Sequence, residues 1–405
     1  MAEEKKIKRL VEKAFKGNLD KYTAEIVNAS ANIGENYLSS IHTVKIKEKK
    51  EDNIKFHLFV KMASPGGFIR NSTPIREMYE RETHVYENIL PKLIHFQQDK
   101  NCINFHSFAK IYAASFDEGI LMDDMKVKNF KFVDHRAKLD FPHALLIMKE
   151  IGKFHALSFA SRDQKPEFFK YLENSCPDVL FGSQSMKHIL VKATENIGKV
   201  IVDTYDPCVN GSEMKFLRNF LENLPNIVNS MLSLDKVGKY AVLNHGDLGI
   251  RNIMFKYDDA AEPRIPTELC LLDWQLARLG SPALDILYFI FICTEKELRD
   301  RYYTRLIEEY YQSLSSFLRQ LGSDPQALFP YEILLQHLTQ LSEFGLFHAI
   351  WVLALIMREN DDVPDMFNVE SDDALIQMMS VVPKRGYMER IHDVISDLMK
   401  YDYVF

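Results

Sequence analysis

The chain has 405 residues, 46% of them hydrophobic and 26% charged, with a formal net charge of −7. That length and apolar share bury a large core and exclude a disordered chain, so one large or two moderate domains are expected. The acidic balance comes with no basic tract and no Arg/Lys stripe interleaved with aromatics, which argues against nucleic-acid binding, and the five scattered cysteines (Cys102, Cys176, Cys208, Cys270, Cys293) show no CxxC or His pairing, which argues against zinc or a disulfide framework and fits a reducing cytosol.

The chain opens on a charged stretch, Met1 to Lys6, followed by Ile7, Leu10, Val11, Ala14 and Phe15 at helical spacing. This predicts an amphipathic helix ending at Gly17 rather than a signal peptide. Short strands follow over Tyr22 to Ala29, Ile41 to Lys47 and Ile54 to Met62, rich in β-branched and aromatic residues, with the polar Glu48 to Asn53 as the turn between the last two. Lys61 ends the third strand among apolar neighbours, and a buried ammonium needs anionic partners because an unpaired buried charge is costly. The next predicted helix, Ile75 to Leu90, is stopped by Pro91; Tyr79, Glu82, Tyr86 and Ile89 share one face, so Glu82 is an acid on an otherwise apolar stripe, with Glu80 the alternative partner for Lys61 and Glu77 a solvated charge. Ala109 to Ser115 and Gly119 to Met122 read as the last strands of a small antiparallel sheet.

From Pro142 the pattern is helical, with Asp140 as N-cap and a wide buried face that includes His155, which reads as a core histidine rather than a base. Further helices run from about Ser212 and from Asp285 to the end. The longest apolar run, Leu346 to Met357, is too short to span a membrane and is interrupted by His348, so it predicts a buried helix of a soluble protein.

Between these helices lies the stretch that carries chemistry. Ala241 to Asn244 is a short apolar strand that turns out at His245-Gly-Asp247; Ile253 to Tyr257 and Leu269 to Leu272 read as two arms of a hairpin, with Asp258 to Thr267 as its loop. The hairpin returns Asp273 beside Asn252. One carboxylate for an acceptor hydroxyl, Asp247, with an amide and a carboxylate for Mg²⁺, Asn252 and Asp273, is the set that phosphoryl transfer requires. Arg251, inside the same loop, is either a cation that neutralises the transferring group or a surface arginine.

These motifs resemble a known family. His245-Gly-Asp-Leu-Gly-Ile-Arg-Asn252 is similar to the catalytic loop of the aminoglycoside phosphotransferase and choline kinase group, which are protein-kinase-like small-molecule kinases. Asp273-Trp-Gln and Arg278-Leu-Gly-Ser-Pro-Ala-Leu-Asp285 are closer still to the ecdysteroid kinase-like branch, and the resemblance covers nearly the whole chain. The stretch Gly249-Ile250-Arg251 departs from it, since many members carry a bulkier aromatic and a second Asn there.

The resemblance implies an α+β, bilobal protein-kinase-like fold: a nucleotide-binding lobe over 1–122, with an antiparallel sheet and one main helix, and a large helical catalytic and substrate-binding lobe over 123–405. It implies ATP and Mg as cofactors, a loop with Gly34, Asn36 and Ser39 over the phosphates, Lys61 on those phosphates with Glu82 behind it, and a lobe link containing Asp123 and Met125 whose backbone meets adenine. Asp285 has a structural role in the family, holding the catalytic loop. The implied acceptor is a small hydroxylated molecule, an ecdysteroid or other steroid, or a phenolic or glycosidic xenobiotic; the apolar material of Phe289, Phe291, Phe344, Phe347, Trp351, Leu353 and Met357 suits a neutral ring system near Trp351 or His348. A choline or ethanolamine kinase and a nucleotide-binding pseudokinase scaffold stay open as alternatives, the scaffold opposed by the joint presence of Lys61, Asp247, Asn252 and Asp273. No membrane or nucleic-acid partner is expected.

Overall fold

The computed structural model describes residues 2–16, 21–28, 39–49, 53–63, 73–102, 105–115, 117–134, 138–206, 208, 210–231, 233–258, 265–358, 369–383 and 385–401. Its N-terminal part is a five-stranded antiparallel sheet of β1 (Tyr22–Asn28), β2 (Ser39–Glu48), β3 (Asn53–Ala63), β4 (Ile111–Ser115) and β5 (Gly119–Asp123), in the order β1-β2-β3-β5-β4. Side chains alternate across a strand, so each strand feeds two cores. Leu58, Val60 and Met62 of β3 join Leu121 of β5 and the helix α1 (Ala2–Ala14) through Ile7, Leu10 and Val11. Ile120 and Met122 go to the other face, with Phe59 and the helix α2 (Ile75–His84). The same alternation turns Lys61 toward α2.

The helix expected to stop at Pro91 does not stop there. After α2 the chain makes one π turn, Val85–Ile89, and continues as α3 (Leu90–Asp99), with Pro91 in the first turn of that helix. Pro91 has no N–H to give the preceding turn and its ring crowds that turn's carbonyls, and the π turn just before it widens the ladder at that point instead of ending the helix.

The remainder is mainly helical, as an α+β fold of this class requires. The helix α4 (Phe141–Gln164) is capped by Asp140, whose Oδ1 accepts from the His143 amide at 3.2 Å. Then come α5 (Pro166–Ser175), α6 (Gln184–Val202), α7 (Gly211–Ser230) and the short α8 (Leu234–Val237). Two small sheets carry the candidate site: β7 (Val242–Asn244) pairs with β10 (Arg278–Gly280), and β8 (Ile253–Lys256) lies between β6 (Lys131–Phe132) and β9 (Glu268–Leu271). Helices α9 (Ala283–Cys293), α10 (Lys296–Gln320), α11 (Pro325–Leu328), α12 (Tyr331–Gln340), α13 (Ser342–Ile356), α14 (Asp372–Met379) and α15 (Tyr387–Lys400) complete it. Gly152 lets α4 approach α10, because a Cβ there would stand 2.7 Å from the Tyr310 carbonyl oxygen. Among the described residues no single helix is long and apolar enough to cross a membrane; the stretch Pro325–Gln340, which joins α11 and α12, passes only together with α13, bent by 47°.

Candidate active site

β7 ends at Asn244, and the loop that follows is shaped by its backbone. Gly246 takes φ +84°, where a Cβ would also overlap the Leu276 carbonyl, so only glycine fits this turn. The loop returns to β8 through a single 3₁₀ turn, Ile250–Asn252. Antiparallel pairing of Ile253 with Leu271, extended by the Leu272 amide donating to the Asn252 carbonyl at 2.9 Å, brings the end of β9 beside Asn252. Asp273 follows in the left-handed region at φ +65°, a conformation Asp tolerates better than most residues.

Within this frame Asn252 Nδ2 donates to Asp247 twice, to the backbone oxygen and to Oδ2, each at 3.0 Å. Nδ2 therefore serves the loop, and Oδ1 is the amide atom left for a cation. The other Asp247 oxygen, Oδ1, accepts from the Tyr288 hydroxyl at 2.5 Å. Burial pushes the Asp247 carboxyl above its ordinary range, against the pull of the Tyr288 hydrogen bond.

Lys61 Nζ stands 2.8 Å from Glu82 Oε2 and 2.8 Å from Asp273 Oδ1, joining β3, α2 and the end of β9 in one ion chain. Burial by itself would lower the Lys61 pKa; the two carboxylates outweigh it and raise it. Burial pushes Glu82 up to about 7, against the pull of Lys61. Glu80 is elsewhere, paired with Arg76 at 2.9 Å on the exposed side of α2, so of the two helix acids it is Glu82 that reaches Lys61.

Other expected site residues are dispersed. Gly34 and Asn36 lie outside the described residues, and Ser39 is described only as backbone, paired with Ala63. Asp123 is buried and accepts from Tyr112 Oη at 3.0 Å and Lys128 Nζ at 2.5 Å. The Met125 carbonyl accepts from the amides of Lys128 and Phe130, at 3.1 and 3.0 Å. Arg251 donates from Nη2 to the Ile356 carbonyl at 3.3 Å, at the C-terminal end of α13.

Two groups that hold the site were not legible as such in the sequence. Arg81 is buried beside Glu82 and bonds the carbonyls of Ala277, in the segment after Asp273, and of Pro177, the latter at 2.8 Å, so it ties α2 to the segment carrying the candidate metal ligand. Tyr288 is the other. Its signal was its place three residues after Asp285, on the same helix face.

Asp285 is fully buried and braces the loop: Oδ2 accepts from the His245 amide at 2.7 Å and Oδ1 from the Gly246 amide at 2.9 Å, while His155 Nε2 lies 3.2 Å from Oδ2. Burial would raise the Asp285 pKa, but these donors overcome it and lower it. His155 in turn meets the Tyr310 hydroxyl at 2.8 Å, so it is a buried strut with no open face. Asp285→Asn sets an amide NH₂ against a backbone N–H that cannot rotate away. The expected loss is about 2–3 kcal/mol of stability, with turnover down roughly 100-fold by displacement of Asp247, read by thermal unfolding and steady-state kinetics together.

A donor set of one amide oxygen and one carboxylate suits a hard cation that keeps water and phosphate oxygens for its other positions. Among the described residues no three His, Cys, Asp or Glu side chains converge as a self-sufficient metal site. Lys61, held between two acids, suits a polyphosphate.

Known proteins bear on these features. The sequence profile of the ecdysteroid kinase-like family matches residues 33–323. Comparison with curated proteins gives no match. Among solved structures, a mutant of aminoglycoside 2'-phosphotransferase-IIIa in complex with GDP is similar at 12% identity, covering 98% of this chain and 98% of that one, with a TM-score of 0.43. Macrolide 2'-phosphotransferase MphH from Brachybacterium faecium is similar at 11% identity, covering 90% and 94%, with a TM-score of 0.39. A microcompartment-associated aminopropanol kinase is similar at 11% identity, covering 98% and 99%, with a TM-score of 0.41. At this distance the structural likenesses carry nothing about residues or substrates. The profile match spans most of the chain, and on that ground the chain belongs to the ecdysteroid kinase-like family of small-molecule kinases.

Proposed function

We propose that the chain transfers a phosphoryl group from ATP to a hydroxyl of a small, neutral, largely apolar molecule: an ecdysteroid or other steroid, or a phenolic or glycosidic xenobiotic. The observation that carries this reading is the convergence of Asp247 and Asn252 in one loop with the Lys61, Glu82 and Asp273 chain. Asp247 positions the acceptor hydroxyl and takes its proton. Asn252 Oδ1 and Asp273 hold Mg²⁺, and Lys61, steadied by Glu82, holds phosphate oxygens. Bound Mg·ATP supplies the phosphoryl group and neutralises its charge. The segment of Gly34, Asn36 and Ser39 belongs over the phosphates, and the link at Asp123 and Met125 beside adenine, with the lobes dividing between residues 122 and 123. Arg251 is assigned to the transferring group, a role that requires it to leave the Ile356 carbonyl. Five scattered cysteines without CxxC spacing support a cytoplasmic setting.

The acceptor class is supported by what surrounds Asp247. The Tyr288 ring packs edge-on to His348 at 5.6 Å, and His348 lies 5.7 Å from Trp351, ring centre to ring centre. His348 is buried, its Nδ1 lies 2.9 Å from the Phe344 carbonyl, and burial pushes it down to about 3, so it backs the Tyr288 and Trp351 rings as a neutral group and is not itself the face that meets the acceptor. Phe289, Phe291, Phe344, Phe347 and Leu353 are buried core, which leaves Trp351 and Met357, both half-buried, as the exposed part of that material. A quaternary ammonium wants carboxylates and open aromatic faces, and among the described residues the charge felt at His348 is that of the Arg278 cation. An ATP-consumption screen of the purified chain against sterols, phenols, glucosides and cholines tests the reading. Saturable turnover on a sterol, phenol or glucoside is expected; turnover on choline alone would sink the acceptor class, and ATP binding without turnover on any acceptor would favour a scaffold.

A further inference from the structure

The candidate base has two oxygens, and each is held by a different element. Asn252 Nδ2 bonds Oδ2 from inside the loop, while the Tyr288 hydroxyl bonds Oδ1 from α9. The terminal torsion of an aspartate is broad, so one hydrogen bond leaves the carboxylate plane free to turn. A second donor on the opposite oxygen fixes the plane and so fixes the direction of the remaining lone pairs. Tyr288 is well mounted for this. It is buried, and Asp285, one turn earlier on the same helix, already holds the His245 and Gly246 amides. One helix thus grips both the backbone of the loop and its functional side chain, across three hydrogen bonds. No side chain intervenes: Gly249, the loop residue facing the ring, would have a Cβ 3.9 Å from Tyr288 Oη. Burial first, and the Asp247 charge second, keep the phenol protonated as a donor.

We infer that Tyr288 is a positioning residue of the transfer reaction, one that locks the Asp247 carboxylate plane so that a free lone pair faces the acceptor hydroxyl. The inference rests on the kinase reading above. The acceptor proton goes to Asp247 and not to Tyr288, which keeps its own. A tyrosine that merely fills core volume would make the same ring contacts, but its hydroxyl would be dispensable.

The test is Tyr288→Phe in the full chain, with Asp247→Asn beside it, on an acceptor that responds in the screen. Tyr288→Phe is expected to lower kcat by ~10- to 100-fold, with KM for ATP within about twofold of the parent because nothing on the nucleotide side has moved. Should that variant fail to fold, Tyr288→Met, an adaptable filler without the hydroxyl, replaces it. Unchanged kcat in the variant, with Asp247→Asn still inactive, overturns the inference and leaves the kinase reading standing. A rise in KM for ATP that matches the loss of kcat also overturns it, since it marks a general disturbance of the site. Full activity in Asp247→Asn removes the kinase reading of the site and the inference with it.

Discussion

Asp247→Asn is expected to lower turnover by about 10³-fold, within the range for loss of the proposed general base, and to leave nucleotide binding close to that of the parent. The substitution is clean because of its two neighbours. Asn252 Nδ2 donates to one carboxylate oxygen and the Tyr288 hydroxyl to the other. An amide in place of the carboxylate still offers an oxygen to Asn252, and its NH₂ meets a hydroxyl that is free to rotate and accept. The loop therefore keeps its hydrogen bonds, and what disappears is a group able to take a proton. Asp273→Asn differs, since it removes a charge that faces Lys61 at 2.8 Å and is assigned to the metal; there KM for Mg·ATP rises along with the loss of turnover. Steady-state kinetics and nucleotide titration separate the two patterns. Parental turnover in both variants would remove the site from this stretch of chain.

How far the sequence foretold this site depends on the range over which each part is specified. The β8–β9 hairpin was legible because it is local: two short apolar runs bounded by polar residues can pair in one way, and that pairing sets Asn252 near Asp273. Lys61 was legible because an ammonium at the end of an apolar strand needs anionic partners; alternation along β3, with Leu58, Val60 and Met62 on one face, turns it to the other. Glu82 stood out as an acid on an apolar stripe, though choosing it over Glu80 required a geometry that no periodicity contains. By contrast, Arg81 reaches Ala277, 196 residues away, and a buried arginine in α2 looks like any other charge in a helical pattern. The strand β10 was missed because its three residues, Arg278–Gly280, show no period of their own and exist only through β7.

The aromatic run over α13 shows the converse. It carries more apolar surface than one helix face can bury, which invited a ligand. Yet α13 is buried almost all round, from Phe344 to Ala354, and His348 is packed by Phe181, Tyr288, Phe344, Phe347 and Trp351. Surplus apolar surface on a helix signals encirclement as readily as a pocket.

Lys61→Ala and Glu82→Gln together are expected to cost little more than either alone. Glu82 Oε2 and Asp273 Oδ1 hold the Lys61 ammonium from two sides. Without the Glu82 charge the ammonium has one anchor left and is drawn to Asp273, away from the phosphates and onto the carboxylate that the proposed function assigns to the metal. Without Lys61, Glu82 has nothing to position. Gln is the appropriate probe because Glu82 is buried, with its pKa already raised to about 7, so an isosteric amide disturbs the packing least. If each single change lowers kcat/KM for ATP by about 10²-fold, independence predicts about 10⁴-fold for the pair, whereas coupling holds it near 10², an interaction of roughly 2.7 kcal/mol and within the range for contacting residues. Full additivity would falsify the pairing as a functional unit and reduce Glu82 to a buried counter-charge. The same cycle run with Arg76→Ala in place of Lys61→Ala is the control, since Arg76 engages Glu80 on the exposed side of the helix and should add independently.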